Sequence, residues 1–227
     1  SWTAFVRTDC FAEDLATEMK EAGCHQVMFG VESGDDEILR NIRKPIDRRK
    51  TEWAVKVAKR LGLEVRATFM LGNPGETVDT MRRTIDYAVE LDPDLAIFNI
   101  TTPYPGTQMF EWAKRSGLLL TEDWGDYELS GAIMRLPTVS YEEVAEWYKR
   151  AYAAFYNRPI MFWRRAMKTR NIHHLLDHIH AFFYIILRRN LGRRAYARRE
   201  WIASVKEDFW KADVTDPVFG DRLIRTN

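Results

Sequence analysis

Glu64-Val65-Arg66-Ala67-Thr68-Phe69-Met70-Leu71-Gly72-Asn73-Pro74-Gly75-Glu76-Thr77 is the stretch that decides the fold of this chain. Glu64 to Leu71 reads as a strand, and Gly72-Asn73-Pro74-Gly75 as a tight turn. Beyond the turn Val78, Met81, Ile85, Ala88 and Val89 recur at helical spacing until Asp92-Pro93 ends them. Strand, turn and helix in this order make one βα unit, and similar units lie on both sides. Upstream, Trp2 to Thr8 reads as a strand, with Phe11, Leu15, Met19 and Ala22 on the helix after it and Gly23 as its stop. Gln26 to Val31 is the next strand. A helix follows from Asp35-Asp36 through Ile38, Leu39 and Ile42, then another from Asp47 to about Leu61, with Ala54, Val57 and Ala58 inward and Gly62 as its stop. Downstream, Leu95 to Ile100 is a fourth strand, and Met109, Phe110 and Ala113 sit on the helix after it. Repeated strand-helix order implies parallel strands with right-handed crossovers, hence a doubly wound α/β sheet or a (β/α) barrel.

The composition suits such a fold. The chain has 227 residues, 34 Lys+Arg against 33 Asp+Glu, 46% apolar and 13% aromatic residues, as ordinary soluble globular chains do. Collagen-like, disulfide-scaffold and disordered classes are excluded. The two cysteines, Cys10 and Cys24, form no metal-spacing pattern and point to a reducing compartment. The chain begins with Ser1 and its apolar pattern starts at once, which reads as a start in mid-domain. No secretory leader is seen, and the uncharged run His178 to Leu187 is far short of the roughly 18–20 residues a membrane span needs.

Charge is unevenly spread: from Arg158 to Glu200 the chain carries a net +9, leaving −8 for the rest. Three regions are therefore expected: residues 1–120 as the βα part, 121–157 as a helical region after it, and 158–227 as a cationic helical extension. Ser140-Tyr141-Glu142-Glu143 is a capping box, with Val144, Trp147, Tyr148, Ala151, Tyr152 and Phe155 on the helix's apolar face. In the extension, a stripe from Ile172 to Leu187 runs into paired arginines up to Arg199, a pattern of helices that lie on anionic membrane surfaces as well as of helices packed on a core. His173, His174, His178 and His180 flank that stripe without a metal-spacing partner set and are assigned no metal. No nucleic-acid module is recognisable.

In parallel α/β folds the ligand site lies at the strand C-termini, where loops converge and helix N-termini offer free donors. Here those ends read Arg7-Thr8-Asp9, Glu32-Ser33-Gly34, Gly72 to Thr77, and Asn99 with Thr101 to Thr107. Glu32 and Ser33 place an acid and a hydroxyl just beyond a strand. The plain alternative is a helix cap by Ser33 or Asp35. Gly72, Asn73, Pro74, Gly75 and Glu76 offer close backbone approach and a carboxylate, or simply a βα turn.

Taken together, Cys24 to Gly34, Ile38-Leu39-Arg40, Lys44, Phe69 to Thr77 and Thr102-Pro103-Tyr104-Pro105-Gly106-Thr107 closely resemble radical S-adenosylmethionine (SAM) enzymes, in the branch that carries a cobalamin-binding domain ahead of the barrel. Asp123-Trp124 with Tyr127, and Phe155 to Pro159, resemble that branch's region after the barrel. The resemblance implies the C-terminal part of a partial TIM-like (β/α) barrel of about four strands. It implies SAM and a [4Fe-4S] cluster as cofactors, with cobalamin on a domain outside this chain, and hydrogen abstraction with methyl transfer or cyclisation as chemistry. By resemblance Glu32 and Ser33 contact the ribose or methionine part of SAM, Gly72 to Glu76 line the adenine, and Arg7 meets the methionine carboxylate.

The family's three cluster cysteines, spaced C-x3-C-x2-C, are absent. The chain is accordingly expected to be the C-terminal part of a longer enzyme, inactive alone, with an unpaired sheet edge and the rest of the same protein as partner. Its substrate is expected to be a small apolar molecule and its location the cytoplasm, with the 172–199 segment at the inner membrane surface. The competing reading is a non-catalytic membrane- or partner-binding protein that keeps the scaffold without the cluster.

Overall fold

Four strands, β1 (Trp2–Val6), β2 (Cys24–Glu32), β3 (Glu64–Leu71) and β4 (Leu95–Ile100), pair side by side in chain order in a computed structural model of the protein, every neighbour parallel. The structure describes residues 1–168 except Pro45, Trp124, Asp126 and 128–132. Two compact units are present, Ser1–Met161 and Phe162–Asn227. The histidines and the basic stripe beyond Ile172 lie outside the described residues.

Strand order follows the chain with no reversal, as in a (β/α) barrel and unlike a doubly wound sheet, whose order turns back at a switch point. The fold is thus a partial TIM-like barrel of the α/β class. Between the strands run α1 (Glu13–Glu21), α2 (Asp36–Asn41), α3 (Arg48–Arg60) and α4 (Val78–Leu91). After β4 come α5 (Gln108–Arg115), α6 (Tyr141–Tyr156) and α7 (Pro159–Lys168). None of the described helices is long and apolar enough to cross a membrane.

Alternation along each strand sorts the sheet into two faces. Val27, Phe29 and Val31, Val65, Ala67, Phe69 and Leu71, and Ala96, Phe98 and Ile100 are buried in one core with the apolar sides of α3, α4 and α6. The alternate residues of β3 and β4 are half-buried and form the other, inner face. That face is the natural wall of a ligand site.

The two sheet edges differ. β1 is paired on one side only among the described strands, and its Phe5 is 82% exposed. On β4, α6 lays Tyr152 and Tyr156 along the outer edge. The Tyr152 hydroxyl accepts from Phe98 N–H at 3.3 Å and donates to its carbonyl at 3.1 Å; Tyr156 does the same at Ala96, at 3.2 and 2.8 Å. Ser140 and Glu143 close the expected capping box that starts this helix.

Two details differ from the sequence reading. β1 ends at Val6 rather than Thr8, because Arg7 turns the chain by accepting from Cys10 N–H and Thr8 buries its hydroxyl against Thr51. α1 starts after Phe11, whose ring packs edge-on against Phe29 at 5.1 Å. That contact sets the helix phase so that Ala16 is buried and Leu15 is 44% exposed.

Candidate functional site

β2 ends in a distortion. The ladder to β3 shifts register between Gly30 and Glu32, and Glu32 takes φ +66°, a conformation that costs a non-glycine residue about 1 kcal/mol or more. Residues held this way concentrate at functional sites, and the chain around Glu32 is fixed on every side. Ser33 N–H donates to Val31 O, and the fully buried Ser33 hydroxyl bonds Thr84 Oγ1 at 3.0 Å and accepts from Asp35 N–H. Asp35 is the N-cap of α2, accepting from Glu37 and Ile38, and Arg83 of α4 pairs with its other oxygen at 2.5 Å. Gly34 is required by close approach, since a Cβ there would stand 2.7 Å from Arg83 O and 2.9 Å from Thr84 Cα.

The carboxylate of Glu32 meets Lys44, with Nζ 2.5 Å from Oε1. Lys44 arrives because α2 ends in a left-handed Arg43 (φ +55°) and Lys44 N–H reaches back to Leu39 O at 2.8 Å. The pair lies over Gly30, where a Cβ would be 2.6 Å from Oε1 and 2.7 Å from Nζ. Both groups are partly exposed, and among the described residues Glu32 Oε2 and the remaining Nζ hydrogens have no hydrogen-bond partner.

One strand over, the turn Gly72-Asn73-Pro74-Gly75-Glu76 is held from within. The buried Glu76 carboxyl accepts from Asn73 N–H at 2.7 Å, while its Oε1 is buried without a partner. Desolvation in that place pushes its pKa up to about 8, against the opposing pull of the Asn73 and Gly72 N–H groups. Asn73 bonds Met70 O and accepts from Thr101 Oγ1, tying the turn to the end of β4; Asn41 donates to Pro74 O, and Thr138 to Glu76 O. An open groove of about 970 Å³ lies beyond Pro74 and Gly75, walled by Arg43 and Trp112.

The structure therefore brings Glu32 and the 72–76 turn together: Glu32 is in register with Phe69, three residues before Gly72. Ser33, Asn73 and Glu76 have their side chains engaged inside the protein, where they shape the two turns. Arg7 lies past the end of β1 and is half engaged, its guanidinium forked onto Asp9 at 3.0 and 2.7 Å; that contact draws the Asp9 carboxyl down to about 2.

Two residues received no role from the sequence. Lys44 was quoted only as part of a motif, and its encounter with Glu32 depends on an αL arginine that nothing local announces. Arg66, inside β3, has a buried Nε with no partner, and its signal was a charged residue at an inner-face position of an otherwise apolar strand.

The residues present do not fit an iron-sulfur cluster. The chain has only two cysteines, Cys10 exposed and Cys24 buried with its Sγ donating to Gln26 O, and no group of three or more potential ligands occurs among the described residues.

A family model, Radical SAM superfamily, matches residues 3–88. The chain is 43% identical over 159 residues, 70% of its length, to an uncharacterised methyltransferase of Pyrococcus horikoshii, and covers 35% of that protein. It is 34% identical over 128 residues, 53% of its length, to the cytidylyl-2-hydroxyethylphosphonate methyltransferase of Streptomyces wedmorensis, covering 23% of it. Among solved structures it is similar to the radical SAM methyltransferase TsrM of Kitasatospora setae, solved with cobalamin and a [4Fe-4S] cluster, at 25% identity and a TM-score of 0.47, over 52% of this chain and 22% of that one. The chain spans about a third of the Pyrococcus relative's length and about a quarter of the Streptomyces one's. A sequential parallel sheet, the acid-serine and glycine-proline turns on adjacent strands, and the matched segment agree: this chain belongs to the radical SAM superfamily.

Proposed function

We propose that the mouth of this sheet binds S-adenosylmethionine and that the chain forms part of the SAM-binding wall of an enzyme that transfers a methyl group. The observation that carries this reading is the Glu32–Lys44 pair beside the Gly72–Glu76 turn. A carboxylate oxygen and an ammonium, each with capacity left, complement a zwitterionic amino-acid end or a ribose diol. The glycine-rich turn lets an adenine approach backbone without a Cβ between them. Arg7 flanks the mouth as a further cation for the methionine carboxylate, in competition with Asp9.

When bound, SAM supplies the adenosyl and methyl groups. The chain's own work is orientation: Gly30 leaves room for the ion pair, Ser33 and Asp35 fix the bulge that carries Glu32, and the neutral Glu76 and Asn73 hold the adenine-side turn. Both curated relatives named above are methyltransferases, which favours methyl transfer as the reaction class. No step is derived through an iron-sulfur cluster, because these residues do not form its ligand set; the cluster, and cobalamin, stand as what the resemblance implies.

Calorimetric titration with S-adenosylhomocysteine, which keeps the amino-acid end, and with 5′-methylthioadenosine, which lacks it, tests the site. Lys44→Met is expected to weaken the first by about tenfold, the size of a lost charged hydrogen bond, and to leave the second nearly unchanged. A wild-type chain that binds neither overturns the reading.

A further inference from the structure

Arg66 stands on the inner face toward the start of β3, in register with Met28 of β2 on one side and with Leu95, the first residue of β4, on the other. Phe5 of β1 is in register with Met28, and Thr68 and Met70 follow Arg66 on the same face of β3, with Ile97 beside Thr68. Phe5, Met28, Leu95 and Ile97 give this wall an apolar side, and Gln26, Glu64 and Thr68 stand on the same face beside the one guanidinium. None of that group's five donors meets a protein acceptor among the described residues, and Nε is already shut off from water. The acid on the same face, Glu64, accepts from Gln26 at 3.1 Å and forms no ion pair with Arg66. A desolvated, unpaired donor on a charged side chain is costly in a folded protein unless a ligand satisfies it.

We propose that this wall binds an apolar molecule bearing a carboxylate, which Arg66 engages through its fork of N–H groups while Phe5, Met28, Leu95 and Ile97 cover the apolar body. The site lies deeper in the sheet than Glu32, below the mouth where the adenosyl ligand is placed, so both occupy the inner face together. Naming the molecule the substrate rests on the SAM reading; the carboxylate preference itself does not. The carboxylate is chosen because its planar geometry matches the guanidinium fork.

The test uses a matched fluorescent pair, 1-pyrenebutyrate and 1-pyrenebutanol, titrated into the wild-type chain, Arg66→Met and Arg66→Lys, with S-adenosylhomocysteine binding measured on each preparation. The wild type is expected to hold the acid about tenfold more tightly than the alcohol. Arg66→Met is expected to bind both alike, Arg66→Lys to regain part of the preference, and S-adenosylhomocysteine to bind all three equally. Equal binding of acid and alcohol by the wild type, or an acid preference surviving in Arg66→Met, overturns the proposal. A wild-type dimer by sedimentation that takes up neither probe assigns the wall to a second copy and overturns it too. Loss of S-adenosylhomocysteine binding by the wild type with the acid preference intact defeats the SAM reading alone.

Discussion

The hydroxyl of Tyr156 closes on both polar groups of Ala96, accepting from its N–H and donating to its carbonyl, and Tyr152 does the same one turn earlier on α6 at Phe98. Side chains four apart on a helix meet residues two apart on a strand because one helical turn and two strand residues span similar lengths, about 6 Å each. The outer edge of β4 is thereby blocked against a further strand, whereas among the described strands none pairs with the outer side of β1. Phenylalanine at both tyrosines keeps the rings and removes the seal. Each loss is expected to cost about 1–2 kcal/mol, since it strands a backbone donor and an acceptor under α6. Hydrogen exchange should report it directly: the Ala96 and Phe98 amides lose protection in the double variant while β3 amides do not.

A methyl group at Gly34 is expected to be far worse than one at Gly30. At Gly34 the added Cβ collides with the backbone of α4, which cannot yield without moving the helix. Overpacking of this kind costs about 1–3 kcal/mol or more. At Gly30 it meets only the ends of Glu32 and Lys44, which can swing away. Urea unfolding should separate Gly34→Ala from a nearly neutral Gly30→Ala, and the latter should still lose S-adenosylhomocysteine affinity because the ion pair is displaced. An equally destabilised pair of variants would mean that the close α4 approach is not real.

The strand and helix limits that the sequence conveyed well are those with chemical punctuation. β3 runs from Glu64 to Leu71 as read, because Gly62 before it and Gly72 after it both need positive φ, and α4 ends where Asp92 turns left-handed before Pro93. Of the candidate site, the two turns on neighbouring strands were legible as turns. What stayed hidden depends on partners remote in sequence. Ser33 is held by Thr84, fifty-one residues on, and Glu32 by a lysine delivered through a strained arginine. Local spacing carries no information about such encounters, so the same residues read equally well as caps.

That strained arginine allows a stabilising change. Arg43 occupies the left-handed region at the C-terminus of α2, where glycine is at ease. Its side-chain hydrogen bond, to Gln108 Oε1, is solvent-exposed and worth little. Arg43→Gly is expected to raise stability by about 0.5–1 kcal/mol, read as a higher urea midpoint with unchanged slope. A lower midpoint would place the strain elsewhere.

Glu76 makes stability fall as pH rises. In the unfolded chain its carboxyl loses its proton near the ordinary glutamate value of about 4.3, whereas in the folded protein burial holds the proton until about 8. Across that window the native state binds more protons than the unfolded one, so the contribution is complete below the unfolded value and disappears as pH climbs through the folded one. Deprotonation would leave a charge in a desolvated site where the Asn73 and Gly72 N–H groups and the Asn73 side chain face it and the nearby Asp35 carboxylate opposes it. Glu76→Gln keeps the acceptor toward Asn73 and carries no titration. Urea midpoints measured from pH 5 to pH 9 should therefore decline in the wild type and decline less in Glu76→Gln, the gap widening above pH 7. Parallel curves for the two proteins would show that the carboxyl is ionised in the fold at neutral pH, and that the turn is held by a charge instead of a neutral acid.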